Sequence, residues 1–223
     1  MTESVPARPS GAVRLGRLIR PGAIVLLTLL SLPIAFYGLA FPFSPELNPD
    51  FFSRLMALPW YAYAHFLGSA TALLVGGFQF SGLLRQRRPT LHRWTGRVYL
   101  GGVLVGGIGG LGLAMISHGG PPTHVAFMLL SVIWLYSGAQ AYRAIRAGNV
   151  SEHRRWMIRN FALTFAAVTL RIQLGVFVGA LGWTFDEAYL TVAWFSWVPN
   201  LLVAEWWILR HATARRPTET TSL

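Results

Sequence analysis

The chain has 223 residues, of which 53% are hydrophobic and only 12% are charged, and its net charge is +11. Soluble domains average about 25% charged residues, so this composition favours a protein embedded in a membrane. Cysteine is absent, which excludes disulfides, thiolate ligands and thiol nucleophiles. All nineteen basic residues are arginine. Because they lie in bands beside apolar runs and not on an amphipathic surface, we expect no nucleic-acid partner.

The arginines occupy alternate gaps between the apolar runs. Seventeen lie in the two tails and in the second and fourth gaps, whereas the intervening gaps hold only Arg54 and four of the eight acids. This is the positive-inside pattern of a multi-pass membrane protein. It predicts an even number of spans in a bacterial inner membrane, with both termini cytoplasmic. It also predicts contacts between the arginines and anionic lipid headgroups.

The apolar runs predict an all-α fold, a bundle of six transmembrane helices, because about 20 apolar residues cross the hydrocarbon core. A cytoplasmic basic tail, 1–20, precedes a retained signal-anchor helix at 21–41, a run too long for a cleaved signal core. Residues 60–181 hold the next four helices, which we predict to form a central four-helix core. The sixth helix covers 188–210, and a cytoplasmic tail, 211–223, follows it.

Four histidines lie at or near the beginnings of the four core helices. The charge pattern places His65 and His124 near the outer face, and His92 and His153 near the inner face. In an up-down bundle, alternate helices lie diagonally across the core. Two imidazoles at matched depth are the ligands of six-coordinate haem iron. Each pair is therefore a candidate site for one haem b.

Helical phase places small and polar residues on the histidine faces, among them Gln79 and Asn160. Arg93 and Arg154 each directly follow an inner histidine and are candidate partners for haem propionates. In the alternative interpretation, the histidines are ordinary interfacial residues that contact lipid or stabilise loops. The small residues then serve close helix packing, as glycine does in the glycine-rich third helix.

Two charged residues lie within the predicted fifth and sixth spans. Arg171 is near the middle of the fifth, where a charge is costly and usually faces the interior. It can anchor the bundle or bind an anionic group of a ligand. Glu205 lies near the inner end of the sixth and is interpreted as an interfacial carboxylate. His118 and His211 are interpreted as surface residues; alternatively, His118 forms an outer metal site with the two outer histidines.

Three segments carry a resemblance to a known family. They are LHRWTGR at 91–97, EHRRWMIRN at 152–160 and TLR at 169–171. With them, the stretch from His65 to about Leu174 resembles a bacterial membrane family known as domain of unknown function 2306. The resemblance implies a multi-pass membrane protein with no established activity.

The histidine arrangement is also similar to that of the cytochrome b561 group, which holds two b haems within four central helices of a six-helix protein. Its histidine pairs join helices two with four and three with five, and Leu91-His92 resembles the start of its third helix. The resemblance implies that His65 and His124 ligate an outer haem, and that His92 and His153 ligate an inner one. No residues resembling the ascorbate site of that group are found.

Three functions remain open. The first is b-type haem binding with transmembrane electron transfer. The second is a non-redox membrane protein that binds or transports a small solute or lipid, with Arg171 as its polar centre. The third is a structural subunit of a membrane complex. The sequence has no phosphate-binding glycine loop, zinc-protease helix or Gly-x-Ser-x-Gly elbow, and neither an enzymatic activity nor a protein partner follows from it.

Overall fold

The computed structural model describes residues 11–213, with side chains for 22–211, and the regular elements in that range are all helical. The parts of the predicted tails at 1–10 and 214–223 lie outside the described residues. The helices in chain order are α1 (Gly11–Ala40), α2 (Pro49–Leu55), α3 (Pro59–Gly76), α4 (Gly82–Arg87), α5 (Pro89–Ala114), α6 (Pro121–Arg146), α7 (Val150–Thr164), α8 (Ala166–Leu174), α9 (Phe185–Phe195) and α10 (Val198–Thr213).

Four helices form a closed ring. α3 packs along α5, α5 along α6 and α6 along α7, and α7 returns to contact α3. α1 covers α3 and α8, while α9 and α10 cover α6, α7 and α8. The predicted all-α bundle with a central four-helix core is therefore confirmed.

Five segments within the described residues are long and apolar enough to cross a membrane. They are Gly22–Phe43, Pro89–Ala114, Pro121–Arg146, Val150–Ala180 and Phe185–His211. The predicted second span corresponds to α3, an 18-residue helix whose first half carries Trp, Tyr and His side chains. These polar and aromatic residues lower the hydropathy of α3, which completes the ring between α5 and α7.

The predicted sixth helix is interrupted after Phe195, and the sequence explains the break. Pro199 has no N–H to donate to the Phe195 carbonyl, and its ring would clash with that carbonyl in a continuous helix. α9 therefore ends at Phe195, and α10 begins at Val198. The Phe195 carbonyl accepts a hydrogen bond from Nε2 of Gln173 at 3.0 Å instead. The single helix predicted over 188–210 is corrected to two.

The predicted fifth helix is also divided. α7 ends at Thr164, Phe165 separates it from α8, and a π-helical turn follows at Gly175–Ala180. A π-helical turn carries one extra residue and is frequent at functional sites. Here it directly follows the short helix that carries Arg171.

α3 and α5 approach each other backbone to backbone. A methyl group added to Gly68 would lie 2.9 Å from Cα of Gly106, and one added to Gly109 would lie 2.6 Å from the Tyr61 carbonyl oxygen. Only hydrogen fits at such distances, so the glycines of both helices permit the contact. This contact sets the position of His65 on α3, whose Nδ1 lies 3.0 Å from the Gly106 carbonyl oxygen.

The arginine bands predict that the α6–α7 connection is cytoplasmic and that the loop before α2 is external. We expect Val150→Cys, at a side chain that is 64% exposed, to resist a membrane-impermeant maleimide added to intact cells. Glu46→Cys, at an exposed position in the outer loop, should react. The native chain contributes no cysteine background. The reverse labelling pattern would contradict the orientation.

Candidate functional site

A cavity of about 890 Å³ is lined by residues of α1, α3 and all the helices from α5 to α9, in the half of the bundle next to α2. Its walls are mainly apolar. The polar side chains that line it within the bundle include Tyr37, His65, Ser69, Ser131, Thr164, Arg171, Tyr189 and Ser196. Largely apolar cavities of roughly 300–1,000 Å³ with a few polar groups are typical of small-molecule sites.

Arg171 extends from α8 into the wall of this cavity. Its Nη1 donates to the Ala167 carbonyl at 2.8 Å, and its guanidinium lies 5.4 Å from the centre of the Tyr37 ring. The ion pairs among the described residues do not include Arg171. A guanidinium has five N–H donors, so most of the Arg171 donors remain for a ligand or water.

His65 presents an imidazole to the same cavity. Its Nδ1 donates to the Gly106 carbonyl, which leaves Nε2 as an acceptor in the neutral ring. A methyl group on Gly110 would lie 3.1 Å from Nδ1 of His65 and 2.7 Å from the Ser131 hydroxyl. The absent side chain of Gly110 therefore makes room for both polar groups.

The structure does not bring His65 and His124 to the matched depth that the sequence predicts. His65 lies beside Ser131, and His124 is seven positions earlier on α6, about 10 Å along the helix axis. Nε2 of His124 donates to the Ser117 carbonyl at 3.0 Å. His124 therefore lies at a different level of the bundle from His65, and its imidazole is turned towards the Ser117 carbonyl.

His92 and His153 are each the fourth residue of their helices, α5 and α7. Nδ1 of His153 donates to the Ala141 carbonyl at 2.8 Å, whereas Nδ1 of His92 is buried without a hydrogen-bond partner among the described residues. The neighbouring Arg93 and Arg154 are exposed.

These positions decide how well each pair fits haem. Haem-bound histidines commonly donate Nδ1–H to a carbonyl and ligate iron through Nε2. His65 and His153 have this arrangement, but His124 has its Nε2 turned to a carbonyl, so the outer pair does not fit. Over the described range, no group of three or more histidine or acidic side chains is placed to hold a metal ion.

Asn160 and Gln79 belong to the packed interior. Asn160 is fully buried, and its Nδ2 donates to the Trp134 carbonyl at 2.8 Å. The Tyr99 hydroxyl donates to Oδ1 of Asn160 at 2.6 Å. Gln79 donates to the Thr95 hydroxyl at 2.8 Å. Asn160 therefore joins α7 to α5 and α6, and Gln79 joins the turn after α3 to α5.

A polar bridge at the mouth of the cavity is missing from the sequence predictions. Nη1 of Arg54 donates to Nδ1 of His118 at 3.0 Å, and Nε2 of His118 donates to Asp186 at 2.6 Å. The rings of Phe185 and Tyr189 pack against the His118 imidazole. The bridge joins α2, the α5–α6 connection and α9, and two of its members, Arg54 and His118, line the cavity. His118, with its side chain 32% exposed, is thus a surface residue that also takes part in an interhelical contact.

Glu205 lies at the arginine-rich end of the bundle and has a partner that the sequence analysis did not identify. Both of its carboxylate oxygens accept hydrogen bonds from Arg159 of α7, at 2.5 and 2.8 Å. Glu205 is therefore part of an ion pair between α7 and α10 and lies outside the cavity that contains Arg171.

The helical ring, its apolar exterior and its polar-centred cavity define a multi-pass membrane protein. The chain matches the model of the family described as predicted membrane protein (DUF2306) over residues 62–208, more than half of its length, and it belongs to that family. This confirms the resemblance carried by the three sequence segments. The matched range includes His65, His118, Arg171 and Asp186. No curated protein and no solved structure matches the chain.

Proposed function

We propose that this protein binds a small amphiphilic molecule with one anionic group inside the membrane. The observation that carries the proposal is Arg171, a cation in the wall of a largely apolar cavity and outside the ion pairs of the described residues. A charge at this depth is costly without a partner. A guanidinium recognises carboxylate or phosphate groups through paired hydrogen bonds.

The remaining lining bounds the chemistry of the ligand. Phe66, Leu73, Leu130 and Leu163 offer apolar surface for a hydrocarbon portion. Nε2 of His65 is an acceptor, so it favours a ligand that also carries a hydroxyl or another donor. The cavity of about 890 Å³ suits a molecule of drug-like size, well below a two-chain phospholipid.

Three amphiphiles with the same chain length test the charge preference. We expect the purified protein in lipid nanodiscs to bind decanoate about tenfold more tightly than decanol, because a hydrogen bond to a charged group contributes about 1.5–3 kcal/mol. Decyltrimethylammonium should bind more weakly than either. Equilibrium dialysis with labelled ligands, corrected by empty nanodiscs, gives each Kd. Equal affinities for decanoate and decanol would contradict the proposal.

Arg171→Gln should remove the preference for decanoate and leave decanol binding within about twofold, since the amide keeps polarity but loses the charge. Ile172→Ala is the matched control, because Ile172 is adjacent and 49% exposed on the other side of α8. An Arg171→Gln protein that still prefers decanoate would exclude Arg171 as the anion-binding group.

One observation favours a second candidate, b-type haem at the inner histidine pair. Nδ1 of His92 is buried without a partner among the described residues, and His153, which like His92 is the fourth residue of its helix, donates through Nδ1 and so has Nε2 available. Bound there, haem would supply one-electron transfer. This candidate requires a visible α band in reduced protein from haem-replete cells, lost in His92→Ala and unchanged in His124→Ala. Colourless wild-type protein would exclude it.

A further inference from the structure

A second cavity, of about 520 Å³, lies between α6, α7 and α10 at the arginine-rich end of the bundle. It shares no lining residue with the cavity around Arg171. Ile133, Leu201 and Ile208 form an apolar wall. Its charged rim consists of Glu152, Arg155, Arg159 and Glu205, and we call this second cavity the rim cleft.

The rim cleft has two positive and two negative side chains, and each arginine is paired with a glutamate. Arg155 pairs with Glu152 at 2.5 Å, and Arg159 pairs with both carboxylate oxygens of Glu205. The four side chains remain 20–43% exposed, so a ligand in the cleft can reach them. The rim therefore offers two guanidiniums and two carboxylates with no net charge.

Aromatic rings place this rim at the level of lipid headgroups. The Arg159 guanidinium lies 4.7 Å from the centre of the Trp156 ring, and Trp156 packs edge-on against Tyr136. Trp and Tyr concentrate where the hydrocarbon core meets the headgroups. At that level, the apolar wall below the rim would lie in the acyl region.

We infer that the rim cleft binds the zwitterionic headgroup of phosphatidylethanolamine, with an acyl chain along its apolar wall. The phosphate accepts hydrogen bonds from Arg155 and Arg159, and the primary ammonium donates to Glu152 and Glu205. A purely anionic headgroup would bring a negative charge beside both carboxylates. A choline headgroup has no N–H to donate. The wider arginine band can still attract anionic lipid, but this cleft selects the ammonium.

A series of lipids with identical acyl chains tests the inference on the wild-type chain. Phosphatidylethanolamine, its N-methyl and N,N-dimethyl derivatives, phosphatidylcholine and phosphatidylglycerol are titrated into detergent-purified protein, and native mass spectrometry gives each bound fraction. We expect affinity to fall stepwise with methylation, by about tenfold from ethanolamine to choline. Equal binding across the methylation series, or tighter binding of phosphatidylglycerol than of phosphatidylethanolamine, would overturn the inference.

Glu205→Gln separates lipid selection from a purely structural ion pair. Losing this carboxylate leaves the charge of Arg159 uncompensated, so the lipid preference should shift from phosphatidylethanolamine to phosphatidylglycerol. Glu46→Gln, at an exposed position in the outer loop, is the matched control and should keep the wild-type ranking. An unchanged ranking in folded Glu205→Gln would overturn the inference. If that variant does not fold, the methylation series on the wild-type chain decides. Arg171→Gln should retain the ethanolamine preference, which keeps this test independent of the proposed ligand.

Discussion

Gly109→Ala is expected to destabilise the protein by about 3 kcal/mol or more, the upper range for overpacking a core. The added methyl group would lie 2.6 Å from the Tyr61 carbonyl oxygen and 2.8 Å from Cα of His65. Both neighbours are backbone atoms of α3, so relief requires a shift of the whole helix. Thermal unfolding in detergent, followed by circular dichroism, should show a large fall in the midpoint and in the yield of folded protein.

Gly101→Ala is the matched control on the same helix. A methyl group at Gly101 would have no heavy atom within 4 Å, and the residue is exposed. Because alanine is a better helix residue than glycine, this variant should be neutral or more stable by about 0.5–1 kcal/mol. Equal midpoints for the two variants would show that the close α3–α5 contact does not limit stability.

The same contact shows what glycine content can predict and what it cannot. Seven glycines between 101 and 112 predict close packing of the third helix. They do not identify the partner helix, because a face without side chains carries no signal of its neighbour. The structure shows that α3 occupies this face, and that His65 reaches the Gly106 carbonyl and the cavity as a result.

The arginine bands and the histidine positions predict different things, the bands the transmembrane spans and the histidines a pairing between helices. The arginines indicate the number and direction of spans because each band avoids the hydrocarbon independently of the others. The pairing of His65 with His124 depends on relative height. His65 is the seventh residue of α3 and His124 the fourth of α6, and each height is set by packing between helices. The orientation of His124, whose Nε2 donates to the Ser117 carbonyl, likewise depends on a loop contact that helical phase does not predict.

Two charged contacts absent from the sequence predictions join distant parts of the chain. His118 contacts Asp186 across 68 positions, and Arg159 contacts Glu205 across 46. Helical phase relates only residues on one helix, so it could place Arg171 and Asn160 on inward faces but could not pair charges between helices. The sequence did hold one indication of the Arg54–His118–Asp186 bridge. Arg54 and four acids are the charged residues of the gaps predicted to be external, so a contact between them could have been expected.

Asn160→Ala is expected to lower stability by about 3 kcal/mol. The side chain is fully buried where α5, α6 and α7 meet, and its removal leaves the Trp134 carbonyl, the Ser137 hydroxyl and the Tyr99 hydroxyl each without one partner. Each of the three lost hydrogen bonds contributes about 0.5–1.5 kcal/mol, and no water within the hydrocarbon region can replace the amide. Chemical unfolding in mixed micelles measures the loss.

Thr71→Val is the polar-to-apolar control. Within the described part of the chain, the Thr71 hydroxyl bonds only the Leu67 carbonyl of its own helix, so we expect the substitution to cost less than about 1 kcal/mol. The folded Asn160→Ala protein should keep the preference for decanoate over decanol, because its amide binds neighbouring helices and Arg171 supplies the charge. We thus expect Asn160→Ala to lower stability and keep the preference for decanoate, and Arg171→Gln to lose that preference. An Asn160→Ala protein of wild-type stability that no longer discriminates between the two ligands would instead place Asn160 in the binding site.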